Sequence, residues 1–300
     1  MNIQGLHIEL TNMCTLKCPG CARTRFQQQW PQHWKNHNLS LESLQKFLDV
    51  ELKGLLVNLC GNDGDCIYHP DFVEILCWFK SQGSTVYIHT NGSYKTASWW
   101  QSVATLLGPG DRVIFAIDGV PENFATYRVN ADWPSIESGI QALAESPADL
   151  VWKYIVFSYN QHCVDQARDL SRQLGFDEFL MVQSDRFDDQ THWLLPDREF
   201  LGPRFDSQQQ WKQTHQSGSV DPRCKSQTDH FITAAGFYTP CCYLADYRFY
   251  YKTQWGKNKN LYDIRSNTLT QILSKPTTVD FYSSLDAAPP AECQFNCPAT

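Results

Sequence analysis

The sequence predicts an α/β fold, a parallel sheet with helices outside it, followed by a small C-terminal extension. Three observations lead there. From Ser40 to Val182 strand-like and helix-like stretches alternate with short connections, which is the pattern of a parallel sheet under helices. Beyond Val182 the alternation stops. Cysteines gather in one set near the N-terminus and a second set after residue 224, at opposite ends of a chain of 300 residues. That length suits one large domain or a domain with an appendage, and it can bury a sizeable core.

Leu6 to Leu10 reads as a short apolar strand. Ser40 is placed to cap a helix from Leu41 to about Val50, with Leu44, Phe47 and Leu48 on one face. Leu55 to Cys60 has strand length. His69 to Gln82 is helical, with Phe72, Ile75, Leu76 and Phe79 at helical spacing. Thr85 to His89 is a strand, rich in β-branched and aromatic residues. Lys95 to Leu107 is a helix, Arg112 to Ile117 a strand, and Trp133 to Ala144 a helix with Pro134 in its first turn. Leu150 to Phe157, Gln161 to Leu174 and Glu178 to Val182 complete the series as strand, helix and strand.

The first strand runs straight into Thr11-Asn12-Met13-Cys14-Thr15-Leu16-Lys17-Cys18-Pro19-Gly20-Cys21-Ala22-Arg23. Cysteines spaced C-x3-C-x2-C put three thiolates on one tight loop, enough for three corners of a four-iron four-sulfur cluster. The fourth iron is then left open. A zinc site is the competing reading, but zinc favours paired C-x2-C knuckles closed by four ligands.

This loop resembles the cluster motif of the radical S-adenosylmethionine (radical SAM) superfamily. The resemblance turns the parallel sheet into a partial (β/α)6 barrel, whose chemistry sits at the C-terminal ends of the strands. It implies that SAM chelates the open iron and is cleaved by an electron from the cluster to a 5′-deoxyadenosyl radical. Most members carry an aromatic residue just before the third cysteine, where this chain has Gly20. The strand ends extend the likeness. Gly61-Asn62-Asp63-Gly64-Asp65 takes the place of the family's Gly-Gly-Glu-Pro, without its glutamate and proline, and Asp63 or Asp65 would accept from the SAM ammonium. Thr90-Asn91-Gly92 looks like the family's Thr-Asn-Gly. Ile117-Asp118-Gly119 follows the fourth strand, with Ala116 where relatives have serine. Arg128 matches the arginine that pairs with the SAM carboxylate, a suited task for a planar guanidinium. Asn160 matches an asparagine that hydrogen-bonds the SAM ribose.

The regions expected are residues 1–182 as the barrel, 183–223 as a bridging segment with a short helix near Arg204 to Gln213, and 224–300 as the extension. Cys224, eleven residues, Gly236, four residues and Cys241 resemble the opening of SPASM and twitch extensions, which hold auxiliary iron–sulfur clusters. Five tail cysteines suffice for one four-iron cluster. The expected ligands are Cys224, Cys241, Cys293 and Cys297, with Cys242 the alternative to Cys241. A structural zinc is again the competing reading. A β-hairpin is expected between Phe231 and Tyr238, turning at Ala234-Ala235-Gly236, a helix from Leu269, and a strand at Tyr247–Tyr251. Cys60, Cys77 and Cys163 read as buried small hydrophobes. Cys66, in the loop after Asp65, is the candidate hydrogen-atom donor to a substrate radical.

Composition narrows the rest. Twelve cysteines point to metal or cluster ligation in a reducing compartment. With no signal segment at its start and no apolar run long enough for a bilayer, the chain is expected to be cytoplasmic, with no membrane attachment. A net charge of −7 argues against a general nucleic-acid binder. The expectation is a radical SAM enzyme that modifies a ribosomally made precursor peptide by splicing, epimerisation or cross-linking. A separate leader-recognition protein and an electron donor such as flavodoxin or ferredoxin would assist it. The alternative substrate is a small sugar-like alcohol, oxidised by a dehydrogenase of the twitch type. A non-catalytic metal-binding module is the remaining reading.

Overall fold

Alternating side chains set the sheet. Its parallel strands are β1 (Gly5–Ile8), β2 (Leu56–Leu59), β3 (Thr85–Thr90), β4 (Arg112–Ala116), β5 (Asp149–Ile155) and β6 (Glu178–Val182). One face carries Leu6, Ile8, Val57, Leu59, Val86, Ile88, Val113 and Phe115, all fully buried. Successive residues of a strand point to opposite faces. The other face therefore presents His7, Asn58, Tyr87, His89 and Lys153, of which all but His7 stay partly exposed. The computed structural model describes residues 3–184, 187–214 and 220–298.

Helices α1 (Ala22–Gln29), α2 (Leu41–Phe47), α3 (Phe72–Ser81), α4 (Ala97–Ala104), α5 (Trp133–Leu143) and α6 (Val164–Gln173) connect the strands. Leu44, Phe47, Ile75, Phe79, Trp100, Ile136 and Ile140 from four of them join the apolar face in one core. Burying each such side chain is worth about 1.5–3 kcal/mol. Local capping starts the helices where the sequence places them. The Ser40 hydroxyl accepts from Ser43 N at 3.2 Å, Thr96 from Trp99 N at 3.2 Å and the Asp132 carboxylate from Ser135 N at 3.0 Å. Each cap contributes about 1 kcal/mol.

The sheet order is β6-β5-β4-β3-β2-β1-β7-β8. The last two, β7 (His230–Ile232) and β8 (Tyr238–Thr239), form the expected hairpin, with Gly236 N donating to Thr233 O at 2.9 Å. The hairpin does not stand apart from the barrel, because β7 pairs with β1 in parallel, Leu6 against His230. The extension thus continues the same sheet. Before it comes α7 (Pro203–Thr214), and after it come α8 (Cys242–Ala245), α9 (Tyr247–Tyr250), α10 (Gln254–Lys257), α11 (Leu269–Leu273), α12 (Pro276–Ser284) and α13 (Ala291–Asn296).

Two expectations are corrected here. Tyr247–Tyr251 is not a strand. Asp246 caps it as helix α9, its carboxylate accepting from Arg248 N at 3.0 Å. Cys77 lies on the exposed side of α3, and Cys60 and Cys163 are only partly buried. Among the described residues no helix is long and apolar enough to cross a membrane.

Candidate functional site: two cysteine sets at the rim of the sheet

The parallel register puts the C-terminal ends of β1 to β5 along one rim, and the motif residues follow them directly. The loop after β1 is held from several sides. Asp65 N donates to Met13 O at 2.9 Å and Lys17 N to Val129 O at 3.0 Å. The Arg23 guanidinium donates to Leu16 O, and Arg25 Nε to Pro19 O at 3.2 Å. Arg25 also pairs with Asp188, which ties the loop to the segment beyond β6. Gly64 is required by close approach, since a Cβ there would lie 1.8 Å from Thr11 O.

Cys14, Cys18 and Cys21 gather in a second apolar group with Leu16, Tyr127, Phe157, Phe187 and Leu194. Leu16 N and Asn91 Nδ2 face the Cys14 sulfur at 3.5 and 3.6 Å. Burial pushes the Cys14 thiol up to about 12 and the Cys18 thiol up to about 11, with the Arg128 guanidinium partly offsetting the latter. The chain alone therefore holds Cys14 and Cys18 as thiols, and a bound metal would supply the positive charge that thiolates need. Among the described residues no three His, Cys, Asp or Glu side chains converge on one ion position. A cubane takes one thiolate per iron, so this donor set fits a cluster better than a zinc ion.

The remaining motif residues divide into two kinds. Most spend their polar groups on the chain itself. Burial pushes Asp65 up to about 6. Its carboxylate accepts from Asn91 N at 2.6 Å, Thr90 Oγ1 at 3.1 Å and Ile67 N at 3.3 Å, so it braces Asn91 and does not stand free for an ammonium. Asn91 in turn accepts from Ser93 N at 2.9 Å. Asp118 accepts from Ile155 N at 2.8 Å and pairs with Arg128 Nε at 2.6 Å. The fully buried Asn160 amide bonds Asp118 O, Ile155 O and Phe157 N at 3.1, 2.9 and 2.7 Å. Asn62 donates to Cys242 O at 2.7 Å, reaching the tail instead of the rim. Cys66 is 2 % exposed, with Sγ donating to His89 O at 3.5 Å. Asp63 is of the other kind. Its carboxylate has no hydrogen-bond donor among the described residues, and burial beside Glu9 and Asp246 raises its pKa well above the usual range.

All five tail cysteines, Cys224, Cys241, Cys242, Cys293 and Cys297, line one cavity of about 110 Å³, together with His7 and Asn58 of the inner sheet face. Burial pushes Cys224 up to about 12, and burial with Cys242, Cys224 and Cys293 nearby raises Cys241 as well. A larger groove of about 780 Å³ lies between α2, α3 and α4, on the outer layer, and includes none of the motif residues.

A family model described as SPASM, an iron–sulfur cluster-binding domain, matches residues 224–298. The structure resembles that of native anSMEcpe with bound AdoMet at a TM-score of 0.62 and 13% identity, over 98% of this chain and 88% of that one. It also resembles Streptococcus suis SuiB bound to precursor peptide SuiA at a TM-score of 0.65 and 12% identity, over 95% and 67%. The family match covers the C-terminal extension, and the likeness to these two structures is one of fold. A curated relative, the tungsten-containing aldehyde ferredoxin oxidoreductase cofactor-modifying protein of Pyrococcus furiosus, is 28% identical over 120 residues, 39% of this chain and 31% of that protein's length.

Sequence reasoning missed several residues of this site. Glu9 is the chief one. Its buried carboxylate accepts from Asp63 N at 2.8 Å and from Ala234 N at 3.1 Å, so one side chain ties the Gly61–Asp65 loop to the tail hairpin. The signal was the alternation Leu6-His7-Ile8-Glu9-Leu10, which puts His7 and Glu9 on the inner face. Tyr127, Phe157, Arg23 and Arg25 carried no comparable signal.

Proposed function

We propose that the protein binds a four-iron cluster through Cys14, Cys18 and Cys21, binds SAM beside it, and modifies a ribosomally made precursor peptide by hydrogen abstraction. The observation that carries this reading is the gathering of the three loop thiols at the rim, beside Arg128. When bound, the cluster and SAM supply a one-electron cleavage yielding a 5′-deoxyadenosyl radical able to attack an unactivated carbon.

The chain's own residues do the rest. Arg128, oriented by Asp118, presents its remaining N–H groups to the SAM carboxylate. Asp63 and the backbone at Gly61 receive the ammonium. Asp65, Asn91, Asp118 and Asn160 hold the loops that carry these groups in place. Leu16, Tyr127 and Phe157 keep water from the site. In the tail, Cys224, Cys241, Cys293 and Cys297 hold one auxiliary four-iron cluster, and Cys242 is the surplus thiol. The peptide substrate is supported by the SuiB complex, which contains a precursor peptide. A separate leader-recognition protein and a flavodoxin or ferredoxin are the partners this reading calls for, acting in the cytoplasm.

Substrate class is tested by 5′-deoxyadenosine yield with reconstituted protein, given either a pool of unmodified peptides or small polyols. Stimulation by peptides, with a mass change in the peptide, is expected. Stimulation by polyols alone would replace the peptide reading with a dehydrogenase of small alcohols.

A further inference from the structure

Gly20 is the place where the cluster loop departs from its relatives, and the structure shows what fills the gap. A Cβ built on Gly20 would lie 2.9 Å from the Tyr127 hydroxyl oxygen and 3.5 Å from the edge of its ring. The ring comes from the connection after β4, over a hundred residues away in sequence. It is firmly seated. Tyr127 is 9 % exposed and packs on Phe157, with ring centroids 4.4 Å apart and planes inclined at 33°. Both rings belong to the apolar group that contains all three loop cysteines.

The hydroxyl itself has no hydrogen-bond partner among the described residues, although the residue is buried. The charged or polarisable groups around it are Cys18, Arg128, Asp118 and Cys21. Arg128 is a cation and offers no acceptor. The Asp118 carboxylate is ion-paired with Arg128 and accepts from Ile155 N. The sulfurs of Cys18 and Cys21 lie beside the phenol as acceptors. A sulfur carrying negative charge is an acceptor that can satisfy such an O–H.

We infer that Tyr127 takes over the place of the missing loop aromatic and donates its O–H to a sulfur of the cluster held by Cys14, Cys18 and Cys21. This rests on the cluster assignment proposed above. Tyr127 is a positioning and tuning residue, not a catalytic one. Hydrogen bonds to cluster sulfurs stabilise the added negative charge of the reduced state and raise the reduction potential. The chain thus regains, from a second element, both the packing that Gly20 omits and a donor that a loop phenylalanine could not supply.

The test is a redox titration of the reconstituted holoprotein followed by electron paramagnetic resonance. The first cluster is identified as the one whose signal changes when SAM is added. Tyr127→Phe keeps the ring and removes only the donor. It is expected to leave the iron content unchanged and to lower the midpoint of the SAM-responsive cluster by about tenfold in its reduction equilibrium, about 59 mV for one electron. A coupling to an exchangeable deuteron, present in D2O for the wild type, should vanish. Equal midpoints and equal couplings in the two proteins would overturn the inference. Gly20→Ala is the second variant, because its Cβ displaces the hydroxyl, and it should shift the midpoint in the same direction. An unshifted midpoint there also counts against it. A SAM-responsive signal indifferent to Tyr127 defeats this inference alone, whereas a wild type with no SAM-responsive four-iron signal defeats the cluster assignment and this with it.

Discussion

The Glu9 carboxylate accepts a hydrogen bond from Ala234 N at 3.1 Å, across 225 residues of sequence. Its other oxygen holds Asp63 N at 2.8 Å. The Gly61–Asp65 loop and the hairpin of the extension therefore share one buried anchor. Glu9→Gln replaces one acceptor oxygen with a donor facing an N–H. The expected cost is about 1–3 kcal/mol, the penalty for leaving buried groups unpaired. Unfolding midpoints in denaturant should show it. Iron counts should fall at both cysteine sets together, because both loops lean on the same side chain.

Gly64→Ala should be among the most damaging single changes. The added Cβ meets Thr11 O at 1.8 Å, and backbone on both sides must separate. A loss of about 4 kcal/mol or more places it in the exceptional tail of point mutations. Thermal unfolding of the purified variant checks this, along with its failure to retain iron at the first site.

Arg128 separates binding from folding. Arg128→Met leaves Asp118 buried and unpaired, which costs about 3–5 kcal/mol. Arg128→Lys keeps a cation for Asp118 but loses the planar fork. The Lys variant should stay folded with SAM affinity reduced about tenfold or more. Equilibrium binding of SAM, set beside the melting temperature, reads both effects.

Acid should destabilise the fold through two inner-face histidines. Burial lowers His7 to about 4 and His89 to about 3, so the fold holds both neutral. The unfolded chain binds their protons below about pH 6.5 and the folded chain does not. Stability is therefore full above that pH and falls as pH drops from 6.5 toward 4. Urea midpoints measured across this range should show a slope that His89→Asn reduces by about one proton.

Much of this was legible because it is local. Caps, apolar spacing and β-branched runs located the alternating strands and helices, and the C-x3-C-x2-C spacing marked the loop whose three cysteines the fold gathers. What stayed hidden depends on long-range pairing. The hairpin at Phe231 was visible, but its parallel pairing with β1 was not, since nothing in either segment names its partner. Tyr247–Tyr251 has strand composition, and the cap from Asp246 overrides it. Asn160 and Asp65 look like ligand groups by position, yet three partners each from their own chain occupy them. Gly20 read as a loss until Tyr127 was found in its place.

The central claim is tested most directly by anaerobic reconstitution with iron and sulfide, followed by SAM and dithionite. The expected result is about eight irons per chain, from two four-iron clusters, with 5′-deoxyadenosine formed and its formation lost in Cys14→Ala. A protein that carries the first cluster, neither binds nor cleaves SAM, and behaves the same after Cys14→Ala would contradict the account.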